Sequence, residues 1–118
     1  MQTSISLLAL TVAAGGPLAV ERFITQAGVY PAAGASAFGV TRTNAAAKGD
    51  LVPVDVQGTA IVTTGAAVVV DDPLMVDAQG RVVPLTAGKA GVAKAMGAAT
   101  AAGERIEVLL TPSAQLVV

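Results

Sequence analysis

Apolar and polar positions alternate along much of this chain, and one stretch shows the pattern clearly. In GDLVPVDVQGTAIV, residues 49–62, Val52, Val54 and Val56 share one face of an extended strand while Leu51, Pro53 and Asp55 share the other. Its opening, an acid followed by apolar residues two apart, returns as DDPLMV at 71–76 and as GERIEV at 103–108. The copies start 22 and 32 residues apart. That is too irregular for a solenoid, whose sequence repeats at a fixed period, so the stretches read as three similar strand entrances in one domain.

The same alternation predicts strands over 18–25, 37–42, 92–96 and 105–110, with a Pro- and Gly-rich loop from Gly28 and Pro112 ending the last strand. Gln57-Gly58, between 51–56 and 59–63, is either a tight turn or a bulge inside one bent strand. Asp77-Ala78-Gln79-Gly80 has turn residues at both ends and joins 74–76 to 81–83 as a hairpin. Residues 43–48 form an Ala-rich connection with room for one helical turn. The Ala-rich segment 88–103 is denied a helix by glycines at 88, 91, 97 and 103, each costing about 1 kcal/mol in a helix interior. The expected fold class is mainly β, a small β-barrel-like or β-sandwich domain over 18–112, with an extended N-terminal arm at 1–17 and a short C-terminal tail at 113–118.

The first 20 residues carry no charged side chain. A signal peptide needs a basic leading segment, which is missing, and the apolar piece from Leu7 to Leu10 is far too short to span a membrane. Ile5, Leu7 and Ala9 would share one strand face and Leu8, Leu10 and Val12 the other, so neither face suits water. Two readings stay open: an arm laid on a neighbouring subunit, and the first strand of the domain itself.

Composition sharpens the picture. Of 118 residues, 53% are apolar and a further 13 are glycine, while Phe23, Tyr30 and Phe38 are the only aromatics. The core must therefore be built from Val, Ala, Leu and Ile, small and branched residues that fill thin layers such as sheet faces. Seven basic and eight acidic residues are too few to coat such a chain, so part of its apolar area is expected to be buried against other chains. Candidate interface residues are Ile5, Leu7, Leu8, Leu10 and Val12 of the arm, with Phe23, Tyr30 and Phe38. The basic residues are scattered and have no aromatics between them, which excludes nucleic acid as a partner.

Few groups here do chemistry. There is no cysteine and no histidine, so thiolate metal sites and histidine-activated nucleophiles are excluded. Asp71-Asp72 are neighbours on an expected strand, where their side chains would point to opposite faces and share no ion or substrate. Lys94-Ala95-Met96 is only a reversed fragment of a biotin-carrying motif. GAAVVV and GGPLAV lack the Lys-Ser/Thr that follows a phosphate loop. No catalytic residue, cofactor or metal is expected, and neither enzyme activity nor a membrane partner.

The succession AFGVTRTNAAAKGDLVPVDVQGTAIV, VDAQGRVV and AMGAATAAGERIEVLL, within residues 36–110, resembles the small capsid cement, or head decoration, proteins of tailed bacteriophages. The resemblance implies a β domain that binds the outer surface of an assembled phage capsid and stabilises it, commonly as a homotrimer. Its partners would be the major capsid protein and further copies of itself. Its location would be the virion, after synthesis in the host cytoplasm. Such a protein needs no reactive groups, since its work is to bury surface at many equivalent positions. The alternative is a small carbohydrate-binding or adhesin-like β module, for which three aromatics are few to stack on sugars.

Overall fold

The structure, a computed structural model, describes residues 5–111. Every regular element in it is a strand: β1 (Ser6–Ala13), β2 (Phe23–Ile24), β3 (Gly39–Thr41), β4 (Leu51–Thr63), β5 (Pro73–Val76), β6 (Val82–Pro84), β7 (Ala93–Ala95) and β8 (Arg105–Leu110). They form one sheet in the order β2-β3-β4-β8-β7-β5-β6, with β1 also paired to β4. The sheet curls, because a parallel bridge from Thr64 to Val82 brings β6 back to the end of β4, where the Gly65 amide donates to the Val82 carbonyl at 2.7 Å. The fold is thus the barrel-like member of the two expected architectures, half closed.

β4 organises everything else. It is 13 residues long and bent; its first part pairs with β1 and β3, and residues 59–63 pair with β8. The Gln57-Gly58 step is a bulge within one strand, since the β1 register shifts there and strand pairing continues past it. Gly58 is required at that place. Its φ is 104°, and a Cβ would lie 2.1 Å from the Ile5 carbonyl oxygen. Of the two readings of the N-terminal stretch, the structure shows the second: β1 pairs antiparallel with β4 of its own chain. Residues 1–4, Pro112 and the tail at 113–118 lie outside the described residues.

Two expectations are corrected. The strand over 18–25 is reduced to Phe23–Ile24, because Val20 and Glu21 form a turn with Glu21 at φ 62°, and Leu18 instead makes an isolated bridge to Ala45. The connection 43–48 holds no helical turn. There the Asp50 carboxylate accepts the Ala46 and Ala47 amides at 3.0 and 3.1 Å, an arrangement that competes with helix for the same donors.

These corrected segments expose an internal repeat. Leu18 and Ala45 exchange two backbone hydrogen bonds of 2.9 Å, and Val68 and Ala99 exchange two of 3.0 Å. The Ala14 amide reaches the Asp50 carbonyl as the Thr64 amide reaches that of Glu104, and Gly49 donates to Ala14 as Gly103 donates to Thr64. The Glu21 amide donates to Thr41 and that of Asp71 to Ala95. Among the described residues Glu21 and Asp71 are the two non-glycine positions with positive φ, at 62° and 72°. Asp50 and Glu104 receive two loop amides apiece in the same manner. One unit therefore runs from β1 through the start of β4, and the second from the end of β4 to β8. The offset is 50 residues before the β5–β6 hairpin and 54 after it, because that hairpin is longer than its counterpart at 25–28. This accounts for the uneven spacing of the acid-led echoes: Gly49-Asp50 and Gly103-Glu104 are true counterparts, whereas Asp71-Asp72 corresponds to Glu21-Arg22.

Burial divides along the same line. The larger core holds Leu74, Val76, Val82, Ile106 and Val108 of the second unit, with Phe23 and Val40 of the first inserted beside Ala60 and Val62. The smaller core gathers Val12, Leu18, Ile24, Val52 and Val54.

Candidate assembly surfaces

β1 is well placed for contact with another chain. It pairs with β4 along one edge, and among the described residues no second strand pairs with it. Six of its eight residues in succession are exposed. Leu7 is 74% exposed, and Ile5, Leu8 and Leu10 are also open to solvent; Leu51, opposite Ala13 at the end of the same ladder, is 71% exposed. An open strand edge flanked by leucines is a template for pairing with another chain unless something covers it.

The expected interface residues do not form one patch. Ile5, Leu7, Leu8 and Leu10 lie together on and beside β1. Val12, at 5% exposure, and Phe23, at 2%, are buried in the two cores of their own chain and present no surface. Tyr30 and Phe38 are half-buried against the smaller core, and the Tyr30 hydroxyl accepts the Ala19 amide at 2.8 Å. A second exposed group was not singled out by alternation: Val69, Val70, Met96 and Leu109. Val69 and Val70 precede Asp71 in its left-handed turn, where consecutive side chains escape the two-residue period that separates faces on a strand. The exposed pair in VVVDD was the available signal.

Between the two units lies a polar cleft of about 460 Å³. The Glu21 carboxylate accepts from Arg105 Nε at 3.0 Å and from its Nη2. Arg42 Nε stands 3.6 Å from the Asp55 carboxylate, which is almost wholly buried and whose Oδ1 has no hydrogen-bond partner. Glu104, at the loop of the second unit, is held below its usual carboxylate range by the Thr100 hydroxyl and then by the amides of Thr100 and Ala101. Asp71 and Asp72 do not act together: Asp71 lies 3.7 Å from Lys94 Nζ, and Asp72 accepts the Val69 amide. None of these arrangements sets a nucleophile against a base. They are structural ion pairs and loop caps, and the surface chemistry they leave is apolar contact.

The family model for phage cement protein matches residues 1–110. The chain belongs to the phage cement protein family. It is a capsid-stabilising structural protein, associated with the phage capsid. No curated protein matches it. Among solved structures, the N base of the head fiber gp8.5 of bacteriophage phi29 shares the fold, with a TM-score of 0.73 and 20% identity over 93% of this chain and 98% of that one. For this cement protein the exposed leucine edge and the Asp71 face thus become the surfaces to explain.

Proposed function

We propose that this cement protein binds the outer surface of the assembled shell, with the major capsid protein as its partner, as a homotrimer and without any catalytic activity. It would be made in the host cytoplasm and end on the finished virion. The family match carries the reading. Support comes from a well-buried double core beside large side chains left open in one chain. The head-fiber base that shares its fold is itself a phage head protein by name. Individual contacts can be weak, because once one subunit of a trimer has landed the others bind at high effective concentration. Binding the closed shell and not its loose subunits then stabilises the shell by mass action.

The test is co-sedimentation of the purified chain with empty shells, followed by heating of decorated and bare shells. Pelleting with shells but not with loose capsid subunits, and a higher rupture temperature when decorated, are the expected results. A chain that stays in the supernatant at micromolar concentration overturns the reading.

A further inference from the structure

We propose that copies of this chain join head to tail, the β1 edge of one seating on the Asp71 face of the next, as the two units of one chain already meet. The inference deepens the homotrimer reading above and rests on it for the existence of self-association; it adds which surfaces meet and in what sense.

The joint inside one chain supplies the template. On the first unit's side the cleft is lined by Val20, Glu21, Val40, Thr41, Arg42 and Asp55; across it stand Ile61 and Arg105 of the second. The Thr63 amide donates to the Glu21 carbonyl at 3.0 Å, and Glu21 binds Arg105 through its side chain. Phe23 and Val40 enter the core beside Ala60, which is 1% exposed. A face of unit one thus covers the 56–63 strand of unit two.

The repeat carries each group one step on. The covering face becomes Val70, Asp71, Lys94, Ala95, Met96 and Leu109. The strand to be covered becomes β1, with Leu10 at the place of Ala60, Thr11 at that of Ile61 and Leu51 at that of Arg105. Leu10, Thr11 and Leu51 are exposed, as is every member of the covering face except Ala95. Eight of the ten large apolar side chains exposed among the described residues fall on these two surfaces: Leu7, Leu8, Leu10 and Leu51 on one, Val69, Val70, Met96 and Leu109 on the other.

The substitutions between units point the same way. Arg42 and Asp55, which meet on the first unit's side of the internal cleft, are replaced by Met96 and Leu109, and Arg105 by Leu51; Ala19 becomes the larger Val69, and Val40 becomes Lys94, which pairs with Asp71 at 3.7 Å. Surfaces that remained in water would be expected to keep charge at the places of Arg42, Asp55 and Arg105, and there it is lost, while the charge gained on this face, Lys94, sits beside the Asp71 carboxylate. The partner they suit is apolar and shaped like this chain's own joint, which is a second copy. Such a contact is heterologous, so it closes into a ring when its rotation divides a full turn. Three chains would then present six like units.

Two exposed variants test this, one on each surface: Leu51→Glu and Met96→Glu. Each alone should weaken self-association by about tenfold or more, read as mass by light scattering, with an unchanged circular dichroism spectrum. Mixed together they should form a two-chain species, because the first retains an intact Asp71 face and the second an intact β1 edge. A mixture that stays monomeric while both variants are folded overturns the head-to-tail sense, and a mass unchanged by either variant overturns the surfaces. The chain has no cysteine, so Leu51→Cys with Asp71→Cys and a short bismaleimide adds a second readout, a ladder of linked chains in solution and on shells. Wild-type chains that pellet with shells yet are monomeric alone, together with a double-cysteine variant that pellets but gives no ladder on the shells, sink this inference and leave the cement reading standing. Linked oligomers that ignore shells do the reverse.

Discussion

The 56–63 segment and β1 hold the same place in their units, and their surroundings differ in one respect. Ala60 is buried in one core with Phe23 and Val40 of the other unit, whereas its counterpart Leu10 is 42% exposed. Both strands pair along one edge with the strand that follows their acid-capped loop. Only the second unit is covered from outside by its predecessor; both curl back on themselves, the Gly15 amide reaching the Gly28 carbonyl at 2.8 Å as the Gly65 amide reaches that of Val82 at 2.7 Å. The difference teaches that the repeated hydrogen-bond plan fixes the path of the chain, while the size of the core depends on whether a neighbouring unit supplies the cover. The first unit of each chain lacks that neighbour.

The sharpest way to break this comparison is to remove core volume from each side. Leu74 and Val52 are both at 0% exposure, one in each core. Leu74→Ala should cost about 3–4 kcal/mol of unfolding free energy and Val52→Ala about 2 kcal/mol, by lost transfer energy and the cavity left behind. Urea unfolding of both variants checks the order. Equal losses would show that the smaller core is packed as tightly as the larger.

Next in size is the bulge that seats β1. In Gly58→Ala the new Cβ has no room beside the Ile5 carbonyl, and φ 104° is strained for alanine, so the cost should be about 2 kcal/mol. The damage should also be local. Amide exchange should quicken across β1 while β8 keeps its protection, since the ladder from 59–63 to β8 does not run through Gly58. Uniform quickening would mean that the two units unfold as one.

How far the sequence revealed this arrangement differs between elements. β8 and the β5–β6 hairpin were legible, because alternation and a turn ending in Gly80 are local signals that tertiary contacts did not override. The strand over 18–25 was misread because Glu21 sits at a positive φ, which carries no composition signal in a residue other than Gly or Asn. The repeat was half visible in the echo of Gly49-Asp50 at Gly103-Glu104. Its other half was hidden, since most paired positions keep only size and burial and the hairpin changes the offset midway. Of the surfaces, the leucine edge could be read from a charge-free stretch with two apolar faces. Met96 and Leu109 could not, because only their equivalence to Arg42 and Asp55 in three dimensions makes them noteworthy.

That equivalence gives a third, smaller test. Arg42→Met alone should cost about 1–2 kcal/mol, since it leaves the buried Asp55 carboxylate without its cation. Adding Asp55→Leu recreates the pair found at Met96 and Leu109, and should recover most of the loss, because it removes the buried carboxylate that the single variant leaves without a partner. Thermal melts of the single and double variants decide it. A double variant worse than the single would mean that the internal cleft needs its charges and that the two joints are built differently.

The smallest effect concerns the loops that close each unit. Asp50 and Glu104 both accept two backbone amides, but Glu104 also accepts the Thr100 hydroxyl, and the first unit has Ala46 at that place. The hydroxyl bond is the largest cause of the lowered Glu104 pKa. A carboxylate whose folded pKa is depressed contributes stability above its unfolded value and loses it as pH falls through the folded one. The contribution of Glu104 should therefore be complete at neutral pH and fade only below about 4.5, the ordinary value from which it is lowered. Glu104 is fully exposed, so water and salt screen the effect and it should stay the least of the four. Thr100→Ala makes the second loop like the first; the Glu104 pKa, followed by carbon NMR of the carboxyl, should rise toward the ordinary value while the loop keeps its fold. A pKa unmoved by Thr100→Ala would assign the lowering to the two amides alone, and the loops of the two units would then be alike in chemistry as well as in path.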